Sequence, residues 1–218
     1  MRTKFLVVIT LMLAASPLYA TPVKPGQTVV PTGFSGATPA VLDTFKGTFN
    51  FDSGALTGTY TEVVFVDHFG LTCGGCLDFA YQVENDVSSK DVITRVGLTP
   101  FTGYTTDVNY VLTSGNVDPT SASRGLLGAV SFFFNVASGQ TSDIVLIATD
   151  ATAYQLNGGL GFDAVGANGQ PLPGIGFIRG AIVPAGPAAV PEPASMLLLG
   201  TGLVGMGARR LRNRRQRS

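Results

Sequence analysis

The sequence predicts an all-β protein. It reads as a single β-sandwich or jelly-roll-like ectodomain, preceded by an N-terminal signal peptide and followed by a short C-terminal transmembrane helix. Three observations carry this. Apolar residues recur with period two rather than at helical spacing. Clusters of Gly, Asn, Asp and Ser punctuate them at short intervals. Two apolar stretches near the ends of the 218 residues fall outside that pattern. The expected divisions are 1–20 for the signal peptide, 21–189 for the ectodomain and 190–215 for the tail.

The N-terminal element opens with Arg2 and Lys4, continues through an apolar run from Phe5 to Ala15, and closes with Ser16-Pro17-Leu18-Tyr19-Ala20. A basic start, a short apolar centre and a small residue at the end describe a secretory signal peptide. The run is too short to span a bilayer, which needs about 20 residues. Cleavage after Ala20 is expected, with the Sec translocon and signal peptidase as partners in export.

The body follows. Phe45, Phe49 and Phe51 share one side against Lys46, Thr48 and Asn50. Leu77, Phe79, Tyr81 and Val83 alternate with Asp78, Ala80, Gln82 and Glu84, predicting one apolar and one mostly polar face. Val130, Phe132, Phe134 and Val136 alternate with Ser131, Phe133 and Asn135. Further strands are expected near 59–67, 91–98, 105–113, 143–149, 151–157 and 175–183. Turns are expected at Asp52-Ser53-Gly54, Cys73-Gly74-Gly75-Cys76, Asn116 to Pro119, Ser138-Gly139, Asn157-Gly158-Gly159 and Asn168-Gly169. No repeat of 20–50 residues is visible, which argues against a solenoid or propeller.

The tail begins with Val190-Pro191-Glu192-Pro193. An uncharged stretch from Ala194 to Ala208 follows, then Arg209, Arg210, Arg212, Arg214, Arg215 and Arg217. As a helix, 194–208 reaches about 22 Å. That is short of a hydrocarbon core of about 30 Å, a gap that snorkelling arginines and bilayer thinning can close. The arginines hold the C-terminal side in the cytoplasm. The two prolines leave an extended peptide just outside the membrane.

These three parts together resemble the PEP-CTERM sorting signal, a tail also labelled ice-binding protein C-terminal domain. The resemblance implies a Gram-negative, exopolysaccharide-forming bacterium. It implies as partner an exosortase, an integral-membrane Cys protease/transpeptidase that would act at the Val190 to Pro193 motif. The protein would be anchored transiently in the inner membrane, then appear at the cell surface or in the medium. The body also resembles ectodomains of a PEP-CTERM subgroup, through Cys76-Leu-Asp-Phe-Ala-Tyr-Gln-Val-Glu-Asn85, Thr102-Gly-Tyr-Thr-Thr-Asp-Val108 and Thr141-Ser-Asp-Ile-Val-Leu-Ile147. That resemblance implies no catalytic residue.

Charge narrows the function classes. The formal balance of 14 bases and 14 acids hides a segregation: residues 21–190 hold thirteen acids against six bases. An acidic body is a poor binder of phosphate backbones, so no nucleic acid is expected as partner. One histidine in the whole chain leaves little for a histidine-based centre, and no metal, cofactor or catalytic residue is expected. Cys73 and Cys76 have a redox-like spacing, but strand patterns flank them where a thioredoxin-type pair needs a helix N-terminus. A zinc site needs four ligands, and only His68 is near. A disulfide clipping a Gly-Gly turn is expected in an oxidising compartment. Gly158 to Val165 matches one calcium-binding nonapeptide, but a lone copy cannot complete a site made between stacked copies, so a flexible loop is expected. Asp67-His68 lacks a Gly-x-Ser-x-Gly partner.

The leading expectation is therefore an exported, exosortase-processed surface or matrix protein with a structural or adhesive role in exopolysaccharide or biofilm, and not an enzyme. The alternative is a polysaccharide- or ice-binding module, with Tyr60, Tyr104, Tyr110 and Tyr154 as the aromatic candidates. An exported hydrolase is the third class.

Overall fold

The computed structural model describes residues 21–35, 41–66 and 75–186. The signal segment 1–20, Asp67, His68, Cys73 and everything from residue 187 onward, including Val190 to Pro193, the 194–208 stretch and Arg209 to Arg217, lie outside the described residues. The compact unit runs to Ala185.

Thirteen strands occur among the described residues: β1 (Thr21–Pro22), β2 (Thr28–Val29), β3 (Thr32–Phe34), β4 (Val41–Phe51), β5 (Leu56–Val66), β6 (Leu77–Asn85), β7 (Val92–Thr99), β8 (Thr106–Val111), β9 (Ser121–Arg124), β10 (Val130–Val136), β11 (Ile144–Thr149), β12 (Tyr154–Val165) and β13 (Pro171–Pro184). The one helical turn among them is the 3-10 turn Asp52–Gly54, where the expected Asp-Ser-Gly turn reverses the chain between β4 and β5. The all-β expectation holds. The chain makes more strands than the nine expected, because β1, β2, β3 and β9 are only two to four residues long and leave no alternation to read.

Seven strands form one sheet in the order β1-β8-β11-β6-β5-β4, with β3 also paired to β8. Six form the other, β13-β12-β7-β10-β9-β2. Strand neighbours are antiparallel except β3 on β8. Phe79 and Tyr81 of the first sheet and Val96, Leu98, Phe132 and Phe162 of the second belong to a single buried cluster. Each such side chain contributes about 1.5–3 kcal/mol by leaving water. The expected phenylalanine side of β4 points there too: the Phe49 and Phe51 rings lie 4.8 and 5.4 Å from that of Phe162.

Polar groups also tie the two sheets. The β12–β13 register shifts between Gln155 and Gly158, so Ile182 falls between the paired residues Ala181 and Val183 without a strand partner of its own. Two side chains of the other sheet serve its backbone instead. Ile182 N–H donates to Glu62 Oε2 at 3.0 Å, and the Tyr81 hydroxyl donates to the Ile182 carbonyl. Burial lifts the Glu62 carboxyl to about 7, against the opposing pull of the Ile182 N–H. At the other end of β6, Asn85 Nδ2 donates to the carbonyls of Asp91 and Val136, both at 2.9 Å.

Two expectations are corrected. Residues Gly158 to Val165 are not a flexible loop, and Asn157-Gly158-Gly159 is not a turn: both lie inside β12. Glycine is needed there for close approach. A Cβ on Gly159 would stand 1.9 Å from the Phe177 ring, and one on Gly158 would stand 2.2 Å from Val183. The same device recurs where Tyr60 covers Gly47 and Phe51 covers Gly176. Aromatic rings thus supply the cover that glycine lacks in a strand. The second correction concerns the expected polar face of β6. Asp78 and Ala80 are buried, and Ala80 joins Phe34, Phe65 and Leu146 in a second apolar cluster on that face.

Candidate functional site

The cleft lies at the end of the body where the described chain stops. It measures about 430 Å³ and is walled by Pro22 to Pro25, Gly103 to Asp107 and Arg124. Its centre is Arg124, the last residue of β9, which alternation turns inward beside Ala122. The guanidinium reaches three segments at once. Nη1 donates to Thr106 Oγ1 at 2.7 Å and to the Val23 carbonyl at 3.4 Å. Nη2 donates to the carbonyls of Phe101 and Tyr104, at 2.8 and 2.7 Å. Burial pulls its pKa below the usual guanidinium value, with Asp150 acting in the opposite direction. Burial likewise raises the Asp107 carboxyl above the usual range. The chemistry is that of a staple: four donated hydrogen bonds bind the end of β9 in the second sheet to the 101–104 loop and to Val23 and Thr106 at the β1–β8 edge of the first.

The residues that the sequence singles out are dispersed over the fold rather than collected. Cys76 is buried just before β6. The four tyrosines do not form one platform. Tyr60 lies over Gly47 and Tyr110 over Gly33. Tyr154 donates to Asp43 Oδ2 at 2.8 Å, and Tyr104 donates to the Ala185 carbonyl.

The fold does bring together one pair of carboxyls the sequence could not pair. Asp143 is fully buried and lifted to about 6, chiefly by burial, with the neighbouring Asp118 carboxyl adding to the rise. Thr113 N–H donates to Asp143 Oδ1 at 3.0 Å, an interaction that pulls the other way. Asp118 lies in the β8–β9 connection and Asp143 at the end of the β10–β11 connection, away from the cleft, and the visible work of Asp143 is to hold the β8–β9 loop through Thr113. Among the described residues no three potential metal-ligating side chains gather.

A second surface is legible only in three dimensions. Register aligns Phe177, Gly161, Gly97, Ser131, Ser123 and Thr28 in a row across all six strands of the second sheet, on its outer face. Phe177 is 53% exposed at one end, with Arg179 5.9 Å from its ring centroid. Beside the row, Arg95 grips Asp163 with Nε–Oδ2 at 2.5 Å and Nη2–Oδ1 at 2.8 Å, and reaches Ser131 Oγ at 3.1 Å. That hydrogen-bonded pairing holds the Asp163 carboxyl below the usual range. Single-letter alternation gives no sign of this row, because most of its members are glycine or serine on strands whose partners are distant in sequence.

Residues 189–215 match the family model of the PEP-CTERM protein-sorting motif. No curated protein and no solved structure matches the chain. Among the described residues no helix is long and apolar enough to cross a membrane, and the 194–208 stretch lies outside them. The chain is thus one that carries a PEP-CTERM sorting motif beyond an all-β body, and the motif implies an exported product targeted to an exosortase.

Proposed function

We propose that this is an exosortase-processed surface or matrix protein, whose β-sandwich body takes a structural or adhesive part in exopolysaccharide or biofilm. The observation that carries the reading is the sorting motif at 189–215, placed directly after a compact all-β unit that runs to Ala185. Two sheets that share one buried cluster support the sandwich. In this reading 1–20 is the signal peptide and 194–208 spans the inner membrane. Arg209 to Arg217 set the orientation, and the enzyme reads Pro191-Glu192-Pro193. The body is given a passive role rather than a catalytic one.

Glu192 is the sole acid after Asp163, and its flanking prolines restrict it to few conformations, so little ordering is needed to fit a cleft. Glu192→Ala is expected to leave an uncut, membrane-bound precursor in a host with an exosortase. Exchanging two or three of the arginines for Gln should chiefly impair retention or topology. Unchanged mass and fractionation in both Glu192→Ala and an exosortase deletion would reduce the tail to an ordinary anchor.

Cys73 and Cys76 are taken to be bonded to each other. They are the chain's two cysteines, and Cys76 is not a free thiol. The mature protein should resist alkylation until reduced, and uptake of two alkyl groups beforehand would contradict the bond.

One observation favours a second reading, in which the body binds matrix polysaccharide. The row from Phe177 to Thr28 offers an exposed ring for stacking on a sugar face at one end and the hydroxyls of Ser123 and Thr28 at the other, with Arg95 covering Gly97 and Ser131 between them. On a glycan array, Phe177→Ala should lose about tenfold or more in affinity, the scale of one buried aromatic contact. Equal binding by both forms would remove the row from consideration.

A further inference from the structure

The β9–β10 hairpin ends in Gly125-Leu126-Leu127-Gly128, and its two leucines are 80% and 86% exposed. The turn is tight: Gly125 N–H donates to the Ala129 carbonyl at 2.7 Å and Gly128 N–H to the Gly125 carbonyl at 3.0 Å. Gly128 has φ +78°, and a Cβ there would stand 2.5 Å from Thr102 N, so the turn is seated against the 101–104 loop. Phe101 N–H donates to the Gly128 carbonyl at 2.9 Å, and Thr102 Oγ1 to that of Leu127 at 2.7 Å. Apolar side chains held in water at a rigid tip are a liability unless something covers them.

The position of the tip says what. The same loop carries Tyr104, whose hydroxyl donates to the Ala185 carbonyl, where the body ends. Only residues 187–193 separate Gly186 from the 194–208 stretch, a span of at most about 29 Å even when fully extended. With 194–208 in the inner membrane, as proposed above, the end that bears Leu126 and Leu127 stays within about that reach of the bilayer while the tail is uncut. Its charge suits that place. In a body with thirteen acids, residues 22–26, 100–106 and 121–130, which meet here, contain none, while Lys24 and Arg124 are both present. Two acids border these segments: Asp107 is buried, and the exposed Asp150 is engaged by the Thr105 N–H at 2.9 Å. An anionic lipid surface would repel a carboxylate-bearing loop and accept this one.

We propose that Leu126 and Leu127 insert into the periplasmic leaflet of the inner membrane while the precursor is anchored, seating the body so that the Pro191-Glu192-Pro193 segment is held at the membrane surface. This rests on the tail reading given above. Lys24 faces the lipid phosphates, and the leucines enter the acyl boundary as the apolar side chains of interfacial segments do. Cutting the tail removes the tether, and the tip alone is too small an anchor to retain the body.

The chain contains no tryptophan, so Leu127→Trp introduces a single reporter into the intact protein. Val87→Trp places the same reporter in the β6–β7 turn, at an equally exposed side chain (86%) at the opposite end of the strands. Both full-length variants are reconstituted in vesicles of phosphatidylethanolamine and phosphatidylglycerol, with and without brominated acyl chains. Emission of Leu127→Trp should shift to the blue and lose intensity in brominated lipid, while Val87→Trp stays unshifted and unquenched. If the protein floats with the vesicles but Leu127→Trp is not quenched, the seating is wrong and the tail reading stands. A blue shift without quenching means that a second copy of the chain covers the tip, and also overturns the proposal. Failure to float with the vesicles overturns both.

Discussion

Glu62→Gln is expected to stabilise the body at pH 8 and to remove most of its dependence on pH between 5 and 8. Glu62 is 1% exposed and accepts the Ile182 N–H with one oxygen, while Oε1 finds no donor among the described residues. Burial therefore dominates, and the folded carboxyl titrates near 7 against a reference of 4.5. The sign follows from proton counting. Below the reference value both folded and unfolded chains are protonated and nothing is lost. As pH rises from 4.5 to 7 the unfolded chain releases its proton and the folded one keeps it, so stability falls. Above 7 the loss is complete and constant. The gap between 4.5 and about 7, at about 1.4 kcal/mol for each pH unit, sets an upper value of about 3.5 kcal/mol. Gln keeps an oxygen for the Ile182 N–H and removes the charge. Asp143, lifted to about 6, works in the same direction, so some slope survives the substitution. Urea unfolding at pH 5 and pH 8 measures the effect. A wild-type protein equally stable at both, or a Glu62→Gln variant with the wild-type slope, would show that Glu62 is hydrated in solution.

Arg124→Met is expected to lower stability by about 2–4 kcal/mol, the cost of leaving the carbonyls of Phe101 and Tyr104 without their charge-assisted donors in a buried site. Methionine fits the volume of the arginine stem, so the loss reports the hydrogen bonds rather than a cavity. Arg124→Lys should fall between the two, because one ammonium cannot span Thr106, Phe101 and Tyr104 together. The loops it staples include the one that holds Leu127 and Ala185, so the Leu127 reporter should also become more mobile in this background. A urea midpoint within about 0.5 kcal/mol of wild type, the usual effect of a surface change, would mean that water replaces the guanidinium without cost.

The sorting motif and the strands are readable in one dimension for a physical reason. A sorting signal is read as a linear peptide, so Pro191-Glu192-Pro193, the apolar stretch and the arginines carry their meaning in order, and the motif match covers that segment. Period two is equally local. The alternation at Phe45 to Phe51, Leu77 to Val83 and Val130 to Val136 falls within β4, β6 and β10.

Glycine misleads at Gly158 and Gly159 because a sequence shows its lack of a side chain as freedom. Only the tertiary structure shows that Phe177 and Val183 occupy the space a side chain would need. Arg124, Glu62 and Asn85 are likewise mute as letters. Their partners, Phe101, Ile182 and Val136, lie 23, 120 and 51 residues away and come within hydrogen-bond reach only through strand order. By itself, then, the sequence determined the all-β class and the address, both written in neighbouring residues. The tertiary structure decided which strands are neighbours, which charges are buried, and which apolar tip stands beside the chain's exit. Each of those depends on contacts between segments that no local pattern records.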